Sequence, residues 1–342
     1  MTFHDRVDPE SWAVLDAASA HLPADLWAAS PVARRQASDA LLAAMTAHVP
    51  PTETVTWHDQ AVPGLPGEPD VPIRIYRPRG ADAGRPGVLL IHGGGMWGGS
   101  IAHEHLRAVS LADDLNAVVV SVEYRLAPEH PHPAPVRDCS GALTWMASNT
   151  DALGVDPSRL VVIGGSAGGG LALGVALMAR DQGGPRLHYV MALYPMIDDR
   201  SETASAREFD HLGAIWDYTR NVEAWAWYLG GQRADAYAAP ARAEQLTGLP
   251  PVFIDVGELD VFRDEDVAFA LRLMQAGVPT ELHVYPGAFH ASEFVAPDAD
   301  LSRRISRTRL EALRRALRPT AAVGLSGDAA HEPSPLSVPA AR

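Results

Sequence analysis

The chain has 342 residues, of which 47% are hydrophobic and 20% are charged, as is ordinary for a globular protein. Its 28 basic and 42 acidic residues give a net charge of −14, which argues against nucleic acid or an anionic membrane surface as a partner. A single cysteine, Cys139, excludes an internal disulfide and is typical of a reducing compartment.

The N-terminal region is predicted to be helical. Residues 9–22 and 31–48 begin with proline, are rich in alanine and leucine, and space their apolar residues by three and four. Because these helices precede any strand pattern, we expect residues 1–50 to pack on a later core, as a cap or as an outer layer. The start lacks the basic and apolar blocks of a signal peptide, and no apolar run is long enough to span a bilayer. We therefore expect a soluble, cytoplasmic protein.

Eight strand patterns follow. The first two, near Val55 and Ile73, are expected to pair antiparallel, and the other six are nearly continuous apolar runs: 88–91, 117–122, 160–163, 189–194, 251–256 and 281–285. Continuous runs are typical of strands covered on both faces. Helical patterns alternate with them at 101–114, 134–148, 168–180, 264–276 and 300–318. This alternation predicts an α/β fold with a mostly parallel sheet, helices on both faces, and a ligand site at the carboxyl ends of the strands.

One segment interrupts the alternation. Residues 199–233 have no strand pattern but are rich in aromatic residues: Phe209, Trp216, Tyr218, Trp225, Trp227 and Tyr228. Such a stripe is either a small core of its own or an aromatic wall over a substrate pocket. We predict a cap insertion here, between core segments 51–198 and 234–318. Residues 319–342 lack periodicity and are predicted to be a disordered tail.

The stretch from Leu160 to Leu173, LVVIGGSAGGGLAL, predicts a strand, a tight turn and a helix. Ser166 would stand on that turn, at the carboxyl edge of the sheet, with its hydroxyl exposed. Gly164 and Gly168 fit this geometry, because a side chain at either position would clash in so sharp a bend. Ser166 is therefore the candidate nucleophile, although a G-x-S-x-G pattern alone is weak evidence.

A serine nucleophile needs a base and an acid that orients the base. Asp260 follows the strand at 251–256, and His290 follows the strand at 281–285, so both should reach the same edge as Ser166. Glu258 is the alternative acid, whereas Asp264 and Asp266 fit the first turn of a helix better. The other histidines show no metal-ligand pairing with cysteine, and we predict no metal site.

An oxyanion also needs hydrogen-bond donors. The strand at 88–91 runs into His92-Gly93-Gly94-Gly95, and we expect the backbone N–H groups of Gly94, Gly95 and Ala167 to act as donors. Gly93 to Gly98 also satisfies G-x-G-x-x-G, with Glu123 at the end of the next strand, as in a dinucleotide-binding enzyme. That alternative leaves Ser166, Asp260 and His290 unexplained.

From about Val55 to Leu317 the chain resembles the hormone-sensitive-lipase group of α/β-hydrolase carboxylesterases. The resemblance is carried by HGGG (92–95), YRLAPEHPHPAPVRD (124–138), DPSRLVVIGGSAGGG (156–170), GELDVFRDED (257–266) and YPGAFH (285–290). It implies a capped carboxylesterase with the triad Ser166, Asp260 and His290, the same three oxyanion donors and no cofactor. Homodimers through the last strand are common in this group.

The chain departs from the group at three positions. Gly165 replaces the usual aspartate before the serine, and Ala291 and Ser292 replace Gly-Phe after the histidine. These changes put the substrate preference in doubt, rather than the chemistry.

We expect a small-molecule ester substrate with a short-to-medium acyl chain, bound beside Trp97 and Trp216. A deacetylase, lactone hydrolase or amidase of a secondary metabolite would use the same residues. The group also contains receptors that lost hydrolysis together with the histidine base, which is present here as His290.

Overall fold

A computed structural model describes residues 3–19, 26–46, 52–80, 83–210 and 216–318. Within these ranges, eight strands form one sheet in the order β1-β2-β4-β3-β5-β6-β7-β8. The strands are β1 (Val55–Val62), β2 (Val71–Pro78), β3 (Arg85–Ile91), β4 (Val118–Val122), β5 (Val155–Gly165), β6 (Tyr189–Leu193), β7 (Val252–Leu259) and β8 (Thr280–Phe289). β2 pairs antiparallel with both β1 and β4, and all other pairs are parallel.

Helices cover both faces of the sheet. They are α1 (Phe3–Arg6), α2 (Pro9–Ser19), α3 (Pro31–Thr46), α4 (His105–Leu115), α5 (Ala134–Ser148), α6 (Thr150–Leu153), α7 (Ala167–Asp181), α8 (Ala204–Glu208), α9 (Tyr218–Leu229), α10 (Arg263–Gln275), α11 (Ser292–Val295) and α12 (Asp300–Ala316). α5, α7 and α10 lie against one face, and α4 and α12 pack together over the other. Strands β3 and β4 are buried along their whole length, because both of their faces are covered.

The predicted sheet and its main helices are present. β1 and β2 are antiparallel, as their position ahead of the apolar runs indicated. The main differences are at element ends: β8 continues to Phe289, and α4 begins only at His105. The predicted tail, residues 319–342, lies outside the described residues, as do residues 211–215 of the predicted insertion. None of the helices within the described ranges combines the length and the apolar character that a membrane span requires.

The N-terminal helices contact the segment between β6 and β7. Arg6 of α1 pairs with Glu208 of α8 at 2.5 Å, and Arg34 of α3 pairs with Glu223 of α9 at 2.6 Å. The guanidinium of Arg34 also lies 5.0 Å from the ring centre of Trp227. Two segments that are distant in sequence are therefore in contact with each other.

A buried acidic side chain, Asp266, lies in the first turn of α10. Its side chain is fully buried, and neither carboxyl oxygen has a hydrogen-bond partner among the described residues. Burial, followed by the nearby charges of Glu265, Asp260 and Asp255, raises the pKa of Asp266 well above its ordinary value. The folded protein therefore keeps this carboxyl neutral at pH values where the unfolded chain releases the proton.

This linkage predicts the effect of Asp266→Asn on stability. As the pH rises above the unfolded pKa of aspartate, the wild type loses about 1.4 kcal/mol of stability per pH unit until the folded pKa is reached. The neutral asparagine avoids this loss. The melting temperature of the variant, taken relative to that of the wild type, should therefore be higher at pH 8 than at pH 5.

The exposed Asp113 provides the matched control. Asp113→Asn should change the melting temperature by a similar, small amount at both pH values. A gap between Asp266→Asn and wild type that does not widen with pH would contradict a neutral buried carboxyl.

Candidate active site

Three chain segments reach one edge of the sheet. Ser166 follows the last residue of β5, Asp260 follows the last residue of β7, and His290 follows the last residue of β8. These strands run parallel with β6 between β5 and β7, so their carboxyl ends face the same side. Residues that are far apart in sequence thereby meet at this edge.

The three side chains form a continuous hydrogen-bonded chain. His290 Nε2 lies 3.0 Å from Ser166 Oγ, and His290 Nδ1 lies 2.8 Å from Asp260 Oδ2. Because a carboxylate only accepts hydrogen bonds, this arrangement places the ring proton on Nδ1 and leaves Nε2 free to accept from the serine hydroxyl. The other oxygen of Asp260 accepts from the N–H of Phe262 at 3.1 Å. The geometry is that of a base oriented by an acid and directed at a nucleophile.

The serine stands in a strained turn. Ser166 has φ 56° and ψ −122°, a conformation that costs a non-glycine residue about 1–3 kcal/mol. Backbone hydrogen bonds hold it in place: its N–H donates to Leu193, and its carbonyl accepts from Met196. A Cβ on Gly164 would overlap the carbonyl of Gly168, so the turn needs glycine there. In a turn of this shape the serine hydroxyl points away from the sheet.

A second turn, formed by the residues after β3, lies beside the serine. A Cβ on Gly93 would lie 3.6 Å from the Cβ of Ser166 and only 2.9 Å from the carbonyl oxygen of Gly165. Gly94 and Gly95 have positive φ angles of 114° and 60°. The carbonyl of Gly94 accepts from the N–H groups of Trp97 and Gly98, which closes the turn.

The predicted oxyanion donors are available in this arrangement. In the part of the chain that the structure describes, the N–H groups of Gly94, Gly95 and Ala167 have no hydrogen-bond acceptor. Ala167 also begins α7, whose N-terminus carries a partial positive charge. Such N–H groups can receive a developing negative charge without reorganisation.

The YRLAPEHP segment (residues 124–131), for which sequence reasoning found no role, holds the turn after β3 in place through hydrogen bonds and ring stacking. Tyr124 stacks on His92 at 4.0 Å and donates to the His92 carbonyl, and the N–H of Ala127 donates to the carbonyl of Met96. Arg35 of α3 donates to the carbonyls of Trp97 at 2.5 Å and of Ala127 at 2.6 Å. No local sequence pattern reveals these contacts, because they join backbone groups of three separate segments.

His92, the first residue of the turn after β3, contacts the backbone and side chains that shape this turn. It is fully buried, and burial lowers the pKa of His92 to about 4. Its Nδ1 lies 2.8 Å from the carbonyl of Gly93. The imidazole is therefore neutral and stabilises the turn from within.

The alternative assignments receive less support from the geometry. Glu258 accepts hydrogen bonds from Arg6 at 3.2 Å and from the N–H of Gly287 at 3.1 Å, whereas the carboxylate that contacts His290 belongs to Asp260. Asp264 lies in the first turn of α10, as expected, and it accepts a hydrogen bond from the N–H of Ser205. Gly98 does not begin a helix as the third glycine of a dinucleotide fingerprint would, since α4 starts only at His105.

The two predicted substrate-binding tryptophans are close to the turn. A Cβ on Gly95 would overlap the indole of Trp216 and would lie 2.8 Å from Nε1 of Trp97. The ring centre of Trp216 is 6.3 Å from that of His290. Ser166 and His290 expose only 8% and 9% of their surfaces. The site is therefore nearly closed to solvent, with Trp216 over it.

The aromatic stripe divides between the two roles considered from sequence. Trp225 and Tyr228 are buried against each other, with ring centres 5.9 Å apart, and serve as core. Trp216 faces the site, and its Nε1 donates to Asn221 at 3.4 Å. Within the described residues there is no cluster of three or more side chains suited to holding a metal ion.

The chain is similar to known proteins over most of its length. Residues 88–294 match the family of proteins with the α/β hydrolase fold. Carboxylesterase NlhH of Mycobacterium tuberculosis is 38% identical over an alignment of 263 positions that covers 74% of this chain and 81% of that protein.

Two solved structures cover nearly the whole chain. A bacterial heroin esterase shares 41% identity and a TM-score of 0.87, over 93% of this chain and 100% of that one. Esterase LipW from Mycobacterium marinum shares 37% identity and a TM-score of 0.77, over 92% and 97%. The chain therefore belongs to the α/β-hydrolase family, and the resemblance to its hormone-sensitive-lipase group of carboxylesterases is confirmed.

Proposed function

We propose that this carboxylic ester hydrolase cleaves short-to-medium acyl esters of small molecules through Ser166, His290 and Asp260. The observation that carries the proposal is the hydrogen-bonded chain from Ser166 Oγ through His290 to Asp260, with distances of 3.0 Å and 2.8 Å. The presence of the histidine separates this chain from the receptors of the group, in which the base is missing.

In the first step, His290 Nε2 takes the proton of Ser166 as the hydroxyl oxygen attacks the ester carbonyl. Asp260 keeps the imidazole in the required tautomer and stabilises the imidazolium that forms. The negative charge on the former carbonyl oxygen is stabilised by the N–H groups of Gly94, Gly95 and Ala167.

The tetrahedral intermediate then collapses. His290 returns its proton to the leaving alcohol oxygen, and an ester between the acyl group and Ser166 remains. In the second step His290 deprotonates a water molecule, which attacks this ester; the proton returns to Ser166 and the carboxylic acid leaves. These steps need no metal or organic cofactor.

The proposed cap consists of residues 1–50 together with residues 199–233. The ion pairs that join α1 to α8 and α3 to α9 support one common layer. With Trp216 over Gly95 and beside His290, this layer leaves little room for a long acyl chain. The expected preference for short-to-medium chains rests on this closure.

The role of Ser166 is tested by Ser166→Ala. Hydrolysis of p-nitrophenyl acetate should fall by about ten-thousand-fold or more, because the nucleophile is gone, while the melting temperature stays close to wild type. Ser110→Ala, which removes a hydroxyl on α4 away from the site, is the matched control and should retain full activity. Full activity of Ser166→Ala would refute the triad.

Trp216→Ala tests the closed pocket. Removing the indole should raise kcat/KM for p-nitrophenyl octanoate relative to the acetate by about tenfold or more, since hydrophobic pockets discriminate chain length on this scale. Trp57→Ala removes a tryptophan on the edge strand β1 and should leave the ratio unchanged. If wild type already preferred the octanoate, or if both variants gave the same ratio, Trp216 would not limit the acyl chain.

A p-nitroanilide substrate, assayed in parallel with the esters, measures any amidase activity of the protein.

A further inference from the structure

A cluster of four charged side chains and one tyrosine lies beside the loop that carries His290. It consists of Glu293 on α11, Arg309 on α12, Arg107 on α4, Asp255 on β7 and Tyr194 at the end of β6, and we call it the Glu293 cluster. Glu293 follows the proposed base by three residues, so it belongs to the same loop and helix turn. Glu293, Arg309 and Asp255 are all buried. None of these side chains has a part in the acyl-transfer steps described above.

Arg309 links this loop to the centre of the sheet. Its Nη1 bonds to Glu293 Oε1 at 2.5 Å, and its Nε and Nη2 bond to the two carboxylate oxygens of Asp255 at 2.6 Å and 3.1 Å. Although burial opposes ionisation, Arg309 and Arg107 together hold the pKa of Glu293 down at about 2. The histidine loop is therefore tied to β7 by charge-assisted hydrogen bonds.

Tyr194 connects Glu293 with the imidazole itself. The tyrosine hydroxyl donates to Glu293 Oε1 at 2.7 Å, and its ring contacts the His290 ring edge-on, with centres 5.0 Å apart at an angle of 70°. The N–H of Tyr194 donates to the carbonyl of Asp255 at 2.6 Å. Both ends of the tyrosine are thus held, and its ring restricts where the imidazole can lie. The ring of Phe262 also contacts the His290 imidazole, with ring centres 5.2 Å apart.

The cluster also reaches the residue before the nucleophile. A Cβ on Gly165 would lie 3.3 Å from the hydroxyl of Tyr194 and 3.4 Å from Nη1 of Arg107. These distances are tighter than ordinary packing, so Tyr194 and Arg107 occupy the space that a side chain at position 165 would need. The glycine at this departure from the group therefore leaves room for Tyr194 and Arg107 beside the serine turn.

We propose that Glu293 is a positioning residue for the base: through the hydroxyl of Tyr194 it holds the His290 imidazole in line with Ser166. The proposal rests on the function proposed for His290. A purely structural ion pair would affect stability alone, whereas a positioning residue must affect the chemical step without weakening substrate binding. The two possibilities are separable because Arg309 bonds to two carboxylates, of which only Glu293 touches the tyrosine hydroxyl.

The test compares Glu293→Gln, Tyr194→Phe and Asp255→Asn, with p-nitrophenyl acetate as the substrate. Glu293→Gln should lower kcat about tenfold, with KM within twofold of wild type, because small misplacements of a reacting group slow chemistry strongly. Tyr194→Phe keeps the ring and loses only the hydroxyl that Glu293 holds, so it should lower kcat less. The double variant should be no slower than Glu293→Gln alone, since both changes act on the same hydrogen bond between Tyr194 and Glu293.

Asp255→Asn is the matched control, because it changes the other buried carboxylate on the same arginine. It should lower the melting temperature while leaving kcat within about twofold of wild type. The proposal is overturned if Glu293→Gln and Tyr194→Phe both keep the kcat of wild type. It is also overturned if Asp255→Asn lowers kcat as much as Glu293→Gln, since the cluster would then act through stability.

One further variant separates this proposal from the proposed function. His290→Ala should abolish hydrolysis if the histidine is the base. Activity retained in His290→Ala would overturn the triad, and the positioning proposal with it. Loss of activity in His290→Ala combined with an unchanged Glu293→Gln would overturn the positioning proposal alone.

Discussion

The strained turn at Ser166 is the constraint on which the rest of the site depends. A non-glycine residue at φ 56° persists only where its surroundings hold it, and here the backbone of the β6 end does so from both sides. The glycines at 164 and 168 remove the side chains that would collide with this reversal. Because the turn joins β5 to the N-terminus of α7, it presents both the serine hydroxyl and the Ala167 N–H at one point.

The turn after β3 and the N-terminal helices are in contact with each other next to the serine turn. The turn after β3 lies against the serine turn, and it is held by Tyr124, by Ala127 and, from the N-terminal helices, by Arg35. The neighbouring Arg34 reaches α9. Two consecutive arginines on α3 therefore connect the segment between β6 and β7 with the turn that carries the proposed oxyanion donors.

Much of this could be predicted from the sequence, for definite physical reasons. The apolar runs and their alternation with helical patterns gave the sheet, and the position of Ser166, Asp260 and His290 just beyond strand ends followed from parallel topology. The HGGG turn was recognisable because glycine allows close backbone approach. These features are local, or they follow from the direction of the strands alone.

Other features could not be predicted, because they depend on contacts between distant segments. Nothing in YRLAPEHP indicates that Ala127 would bond to Met96 and Arg35, and nothing near Glu293 reveals Arg309 or Tyr194. The aromatic stripe was ambiguous for the same reason: Trp225 and Trp216 look alike in sequence, yet one is core and the other lies over the site. Side-chain partners of this kind depend on tertiary packing rather than on local periodicity.

The central claim is that Ser166 is an activated nucleophile at this edge of the sheet. It is tested most directly by treating the wild-type protein with a p-nitrophenyl phosphonate, measuring the intact mass, and mapping the adduct by peptide mass spectrometry. The account predicts one phosphonyl group per chain, attached to Ser166, with release of one equivalent of p-nitrophenol. No adduct, or an adduct on a different residue, would contradict it.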